Sequence, residues 1–166
     1  MRLTKIIDRE VIVSAIRNIS SKIPKDENIF FLGILNGCTD FLHYLKKDHK
    51  EVSVCKIKSS SYNGLKRGEL HHEVLFDLNI LKGKKVYIVD DIIDSGHTLN
   101  SVTDMIREYT NDISWCCLFK KEGSPESERL VEGYLVIPRN YFIVGFGMDY
   151  YDKYRELEDL YIVRED

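Results

Sequence analysis

Apolar and polar positions alternate along this chain in two rhythms, one helical and one of strands. From Asp8 to Ile23 the apolar residues Val11, Ile12, Ala15, Ile16 and Ile19 recur at helical spacing, and Asp8 stands where it can cap the helix start. Asn28 to Leu35 predicts a buried strand, and "NGCTD" then turns into a helix from about Thr39 to Lys47. Val52 to Ser59 reads as a strand, "SSYNGLKRGEL" as an exposed polar loop, and His72 to Leu78 as a further, alternating strand. After the turn "LKGKK", Val86 to Asp90 is the strongest strand in the chain. Thr98 to Tyr109 places Leu99, Val102, Met105 and Ile106 on one helical face, and Ile113 to Phe119 is the next buried strand.

Strands separated by crossover helices imply an α/β fold, with a mostly parallel twisted sheet flanked by helices on both faces. Such sheets bind ligands beyond the carboxyl ends of their strands. Three polar segments fall at such ends: "LNGCTD", "DDIIDSGHT" and "KKEGS". They are expected to converge on one site.

The composition narrows the class. At 166 residues the chain suits one domain spanning 1–166, and such a length buries roughly 70% of the surface of the unfolded chain. A net charge of -3 gives no sign of a nucleic-acid partner. Cys38, Cys55, Cys116 and Cys117 form no CxxC pair and no zinc spacing with the histidines; Cys116 and Cys117 would point to opposite faces of one strand. Reduced, mostly buried thiols are expected. No apolar run approaches the about 18 residues of a membrane span, and no signal-peptide pattern is seen, so the expected location is the cytoplasm.

Chemistry concentrates in "KKVYIVDDIIDSGHTLN", where a greasy strand runs into Asp90 and Asp91, with Asp94 following two isoleucines. Neighbouring carboxylates repel, so such a strand end needs a cation or a row of hydroxyl donors nearby. "DSGHT" is a small polar turn leading into a helix, which points several backbone amides and the positive end of the helix dipole at one spot. Ser95 and Thr98 add hydroxyls, and Gly96 lets the backbone approach a ligand closely. There is no GK[ST] and no GxGxxG, so this is neither a Walker loop nor a dinucleotide fingerprint. A ribose 5-phosphate fits: Asp90 and Asp91 accept from the 2- and 3-hydroxyls or steer magnesium to them, and the turn holds the phosphate. Response-regulator receivers also carry acid pairs, but near the N-terminus, and helix capping accounts for one aspartate of three.

"VYIVDDIIDSGHTL" closely resembles the phosphoribosyl-pyrophosphate signature of the type I phosphoribosyltransferases, and its "DDIIDSG" core is similar to the hypoxanthine-guanine branch. "FLGILNGCTDFLHYL" resembles the family's first active-site loop, "KSSSYNG" the start of its mobile loop, "LFKKEGS" its purine-recognition lysine segment, and "YFIVGFGMDYYDKYREL" its C-terminal hood. The resemblance implies a core of about 1–120 and a hood of about 121–166.

Roles follow from the resemblance. Asp94 holds the position of the general base on the purine ring nitrogen, a task that can coexist with capping the helix. Asp90 and Asp91 resemble the ribose and magnesium acids; the family more often has Glu at the first, so Asp90 has a shorter reach. Ser95, Gly96, His97 and Thr98 match the 5-phosphate loop, with His97 facing solvent rather than acting as a catalyst. Leu35, Asn36 and Gly37 match the pyrophosphate loop, which in relatives carries a cis peptide bond and often a Lys or Arg where Asn36 stands. That substitution raises the share of charge left to magnesium and to Arg155.

In the hood, Phe142 would stack on the purine, the Ile143 carbonyl would read a ring-edge donor, and Asp149 would hold a second magnesium, although the same residues also suit an ordinary strand and turn. Lys120 matches the lysine that donates to the 6-oxo group, with Lys121 an adjacent alternative. Ser61 and Tyr62 match the mobile loop, where Lys66 and Arg67 add charge; His71 and His72 read as strand residues. The activity implied is magnesium-dependent transfer of phosphoribosyl from 5-phosphoribosyl 1-pyrophosphate (PRPP) to the 6-oxopurines hypoxanthine or guanine, giving IMP or GMP, in a homodimer or homotetramer. A xanthine-preferring enzyme and a non-catalytic PRPP-binding regulator are the alternatives, but a regulator is expected to lose Asp94 or the hood, and both are present.

Overall fold

Residues 2–61 and 70–164 are described in the computed structural model. A six-stranded sheet runs through the middle, built from β2 (Ile29–Leu35), β3 (Ser53–Ser61), β4 (Leu70–Val74), β5 (Lys85–Ile93), β6 (Ile113–Lys121) and β7 (Leu135–Ile137). Their order is β4-β3-β2-β5-β6-β7; every neighbouring pair is parallel except β3 with β4. The parallel core needs both faces covered, which is why Ile29 to Ile34 are buried without alternation.

Helices α1 (Arg9–Ser21) and α2 (Thr39–Asp48) cover one face, packing Ile12, Ile16, Ile19, Phe41 and Leu45 onto Phe31, Val89 and Leu118. On the other face α3 (His97–Ile106) sets Leu99, Val102 and Ile106 against Leu32, Ile88 and Trp115. Cys116 and Cys117 fall into these two opposite cores, and all four cysteines are free thiols, as the alternation of β6 requires.

A second sheet forms the hood. Strands β1 (Arg2–Ile7), β9 (Leu160–Arg164) and β8 (Phe142–Val144) lie antiparallel in the order β1-β9-β8, with Thr4 opposite Ile162 and Ile143 opposite Ile162 on the other side. A division near residue 120 therefore does not follow the sheets, because the first strand joins the hood and β7 joins the core. Both are short or remote pairings, and local periodicity carries no record of a partner about 160 residues away.

Several boundaries also differ from the pattern. Helix α1 stops at Ser21 because Lys22 and Ile23 close tighter bonds to Ile19 and Ser20, just before Pro24. Asp8 occupies the cap position without capping; its carboxylate pairs with Lys5 at 2.6 Å. Strand β4 covers Leu70 to Val74 rather than His72 to Leu78, since Asp77 accepts the Asn79 amide at 2.9 Å and starts a 3-10 turn over Leu78–Leu81. Helix α3 ends at Ile106, where the Tyr109 amide bonds back to Ile106. Strand β5 runs on to Ile93, so Asp90 and Asp91 lie within it.

The α3 face contains one polar relay. The indole N–H of Trp115 donates to the Thr103 hydroxyl at 2.9 Å, which donates to the Leu99 carbonyl at 2.7 Å. Replacing the hydroxyl by a methyl in Thr103→Val keeps the volume and leaves the buried indole N–H without an acceptor, an expected cost of about 1–3 kcal/mol. Urea unfolding followed by the fluorescence of the single tryptophan reads this directly; a variant as stable as the parent would contradict it.

Candidate active site

The carboxyl ends of β2, β3, β5 and β6 face a cleft with two lobes, of about 380 and 390 Å³, joined through Ser59, Asp91, Ile92 and Asp94. At its floor the Asp90 carboxylate accepts from the Asp91 amide at 3.0 Å, and Asp91 accepts from the Ile92 amide at 2.8 Å. Asp90 is 8% exposed. Burial, and then the neighbouring charge of Asp91, hold its carboxyl well above the usual carboxylate range. Burial raises Asp91 as well, against the opposing pull of its hydrogen bonds and of Arg155.

The first lobe is the turn from Asp94 to Thr98 leading into α3. Gly96 sits at the helix start with φ +74°, a left-handed conformation that other residues adopt only with strain. The His97 amide donates to the Ser95 hydroxyl at 3.2 Å, and the His97 side chain is exposed, as expected. Asp94 is not the helix cap: its carboxylate turns instead to Lys121 at 3.2 Å and Arg139 at 3.5 Å.

The second lobe gathers Leu35 from the end of β2, Asn36 and Gly37 from the turn after it, Lys121 from β6, and Phe142, Ile143, Met148, Asp149 and Arg155 from the hood. The Leu35–Asn36 peptide is cis. A Cβ on Gly37 would run into the Asp91 carboxylate, so only glycine lets this loop lie against the acid pair. Arg155 pairs with Asp149 at 2.8 Å and Asp152 at 3.6 Å, and donates to the Gly147 carbonyl at 3.0 Å. The Phe142 ring is half exposed and braced edge-on by Tyr150 at 5.2 Å, which leaves a face open to the cleft; Ile143 beside it is buried.

Lys120 and Lys121, the two candidates for the 6-oxo group, face opposite ways. Adjacent strand residues point to opposite sides, and the Lys120 ammonium is buried against Glu126 and over the Tyr134 ring, at 5.4 Å, away from the cleft. Lys121 lines the cleft in its place. Ser61 ends β3 opposite Leu70, while Tyr62, Lys66 and Arg67 lie outside the described residues. His72 is a strand residue, 2.7 Å from the Ser101 hydroxyl. Sequence reasoning passed over Ser59, Met148 and Arg139. Ser59 follows buried Ile57 by two residues on the same face of β3, a period-two signal that could have found it, and its buried hydroxyl has no partner among the described residues.

A family profile described as the phosphoribosyl transferase domain matches residues 4–151, and the chain belongs to that family. A hypoxanthine-guanine phosphoribosyltransferase of Streptococcus pyogenes is 32% identical, over 93% of this chain and 89% of the relative. Among solved structures, a hypoxanthine-guanine phosphoribosyltransferase of Bacillus anthracis superimposes with a TM-score of 0.83 at 28% identity, over 97% of this chain and 98% of the other. The hypoxanthine phosphoribosyltransferase of Trypanosoma cruzi, solved in complex with the product IMP, gives 0.79 at 25% identity over 96% and 93%. Among the described residues, no helix is long and apolar enough to cross a membrane.

The acid pair makes a pH prediction. A carboxyl whose folded pKa lies above its unfolded value binds its proton more tightly when folded, so it costs stability as pH rises through that interval. Asp90→Asn keeps the acceptor for the Asp91 amide and removes the titrating carboxyl. The metal-free variant is therefore expected to be more stable than the parent at pH 7, the advantage shrinking as pH falls toward about 4. Thermal unfolding across this range checks it, and a variant less stable at pH 7 would count against the desolvated pair.

Proposed function

We propose that this protein is a purine-salvage phosphoribosyltransferase that joins hypoxanthine or guanine to PRPP, giving IMP or GMP and pyrophosphate. The observation that carries the reading is the convergence, in one cleft, of a buried acid pair, an amide-lined turn, and an acid with a lysine beside an aromatic face. The first lobe suits the ribose 5-phosphate, with Asp90 and Asp91 at the sugar hydroxyls and Ser95, Gly96, His97 and Thr98 around the phosphate. The second suits the base and pyrophosphate, with Leu35, Asn36 and Gly37 offering backbone groups and Arg155 a cation once it leaves Asp149.

Phe142 offers its ring to the purine and Ile143 a carbonyl to its edge. Lys121, in place of Lys120, donates to the 6-oxo group; an ammonium cannot accept, so the exocyclic amine of adenine would leave a mismatch. As the purine nitrogen bonds to C1 of the ribose, the C1–oxygen bond to pyrophosphate breaks and its electron pair leaves with pyrophosphate. The ring N–H proton passes to Asp94. Ser61 and Tyr62 belong, on this reading, to a segment that shields the reacting sugar from water.

Magnesium fits the floor of the cleft. No group of three or more His, Cys, Asp or Glu side chains forms a ready-made cage among the described residues, but Asp90 and Asp91 offer oxygen donors with no cation in contact. Magnesium is commonly held by one or two carboxylates together with substrate oxygens. Asp90 and Asp91 would hold it with the ribose hydroxyls, and Asp149 a second ion once freed from Arg155. When bound, the metal supplies positive charge against the departing pyrophosphate. We place the protein in the cytoplasm as a homodimer or homotetramer of single domains spanning 1–166.

The reading is tested by assaying four purines with PRPP and magnesium. Turnover of hypoxanthine and guanine is expected; turnover of adenine without hypoxanthine would overturn it. Asp94→Asn is expected to lower kcat by about 10²–10⁴ while calorimetric PRPP binding persists, and undiminished turnover would remove Asp94 from proton transfer. Lys121→Ala should raise KM for hypoxanthine at least about tenfold, and Lys120→Ala should leave it near the parent value; the reverse pattern would restore Lys120 to the base.

A further inference from the structure

Asp94 is held in an unusual way for a residue expected to receive a proton. It is half exposed, it does not cap α3, and among the described residues its carboxylate meets only two partners. Lys121 approaches one oxygen at 3.2 Å and Arg139 the other, at 3.5 Å. Lys121 has a second claim on it, because the proposed reaction turns its ammonium to the 6-oxo group of the purine. Arg139 has no such claim. It follows β7 and Pro138, and its other guanidinium nitrogen donates to the Glu122 carbonyl at 3.2 Å, which fixes it to the turn after β6.

We propose that Arg139 is a positioning residue that keeps the Asp94 carboxylate aimed at the purine ring N–H after Lys121 has moved to the base. The inference rests on the functional reading above. Binding of the purine exchanges the Lys121–Asp94 contact for a Lys121–oxo contact, and frees the Oδ2 oxygen to accept the ring proton. Arg139 stays on Oδ1 and keeps its own protons throughout. The bonds made and broken are those of the transfer itself, so no other reactant is needed. Exposed ion pairs contribute little to folding stability, so the effect belongs in turnover rather than in unfolding.

Arg139→Gln, Arg139→Lys and Asp94→Asn, alone and with Arg139→Gln added to Asp94→Asn, separate this role from a structural one. With hypoxanthine, Arg139→Gln is expected to lower kcat about tenfold, with KM for PRPP unchanged and the melting temperature unmoved. Arg139→Lys should recover most of the loss. In the Asp94→Asn background the further change should cost nothing, because the group being positioned is already gone. Unchanged kcat in Arg139→Gln, or an equal loss in both backgrounds, would overturn the role of Arg139 and leave the functional reading standing. A parent protein without hypoxanthine turnover would overturn both.

Discussion

Two carboxylates lie at the buried end of a central strand, and the described part of the protein brings no cation into contact with either. Water solvates charge far better than the interior of a sheet does, so this arrangement works against folding unless something else supplies positive charge. The core is built to tolerate it. Leu32, Ile88, Val89 and Cys116 around the strand are fully buried, and the surrounding sheet holds β5 between two parallel neighbours. Gly37 brings the first loop against Asp91 where any side chain would collide. The stability of the two hydrophobic cores sustains that local cost.

Other charges of the cleft are paired in advance. Arg155 rests on Asp149 and Asp152, and Asp94 lies between Lys121 and Arg139. Such pairs keep the cleft from carrying a single sign of charge, and each can be exchanged for a contact of the same chemistry with substrate. On the proposed reading, a phosphate would take the place of a carboxylate on Arg155, and the purine carbonyl its place on Lys121. Among the described residues the acid pair has no ion-pair partner to exchange, and only the more distant charge of Arg155 pulls on Asp91. That asymmetry is what the proposed function uses, with a hydroxylated, metal-carrying sugar phosphate at the floor and the base at the rim.

The strand, the acids and the amide turn could be read from "VDDIIDSGHT" because they are contiguous, and a local pattern suffices to describe a local geometry. Convergence of the three polar segments was equally accessible, since the end of a parallel strand is a topological fact. The hood was only partly readable. Strands β1 and β9 pair residues from opposite ends of the chain, and β7 and β8 have three residues each, too few to establish a period. Lys120 and Lys121 differ by one position, and a one-residue difference in register reverses which side a strand residue faces. Asp94 was open to a capping role, but Gly96 begins the helix and two distant cations settle where the carboxylate points. Arg139 gave no signal, because its partner is 45 residues away and its neighbours "IPRN" look like an ordinary polar turn.

The most direct test of the acid pair is calorimetric. Titrating PRPP with magnesium into the protein at pH 6, in buffers of different ionisation enthalpy, counts the protons that accompany binding. An Asp90–Asp91 pair whose carboxyls burial raises above the usual range should release protons on meeting a cation, beyond those the sugar phosphate itself gives up, and the release should be smaller in Asp90→Asn. Equal proton release by the parent and by Asp90→Asn, or no binding at all, would contradict the account.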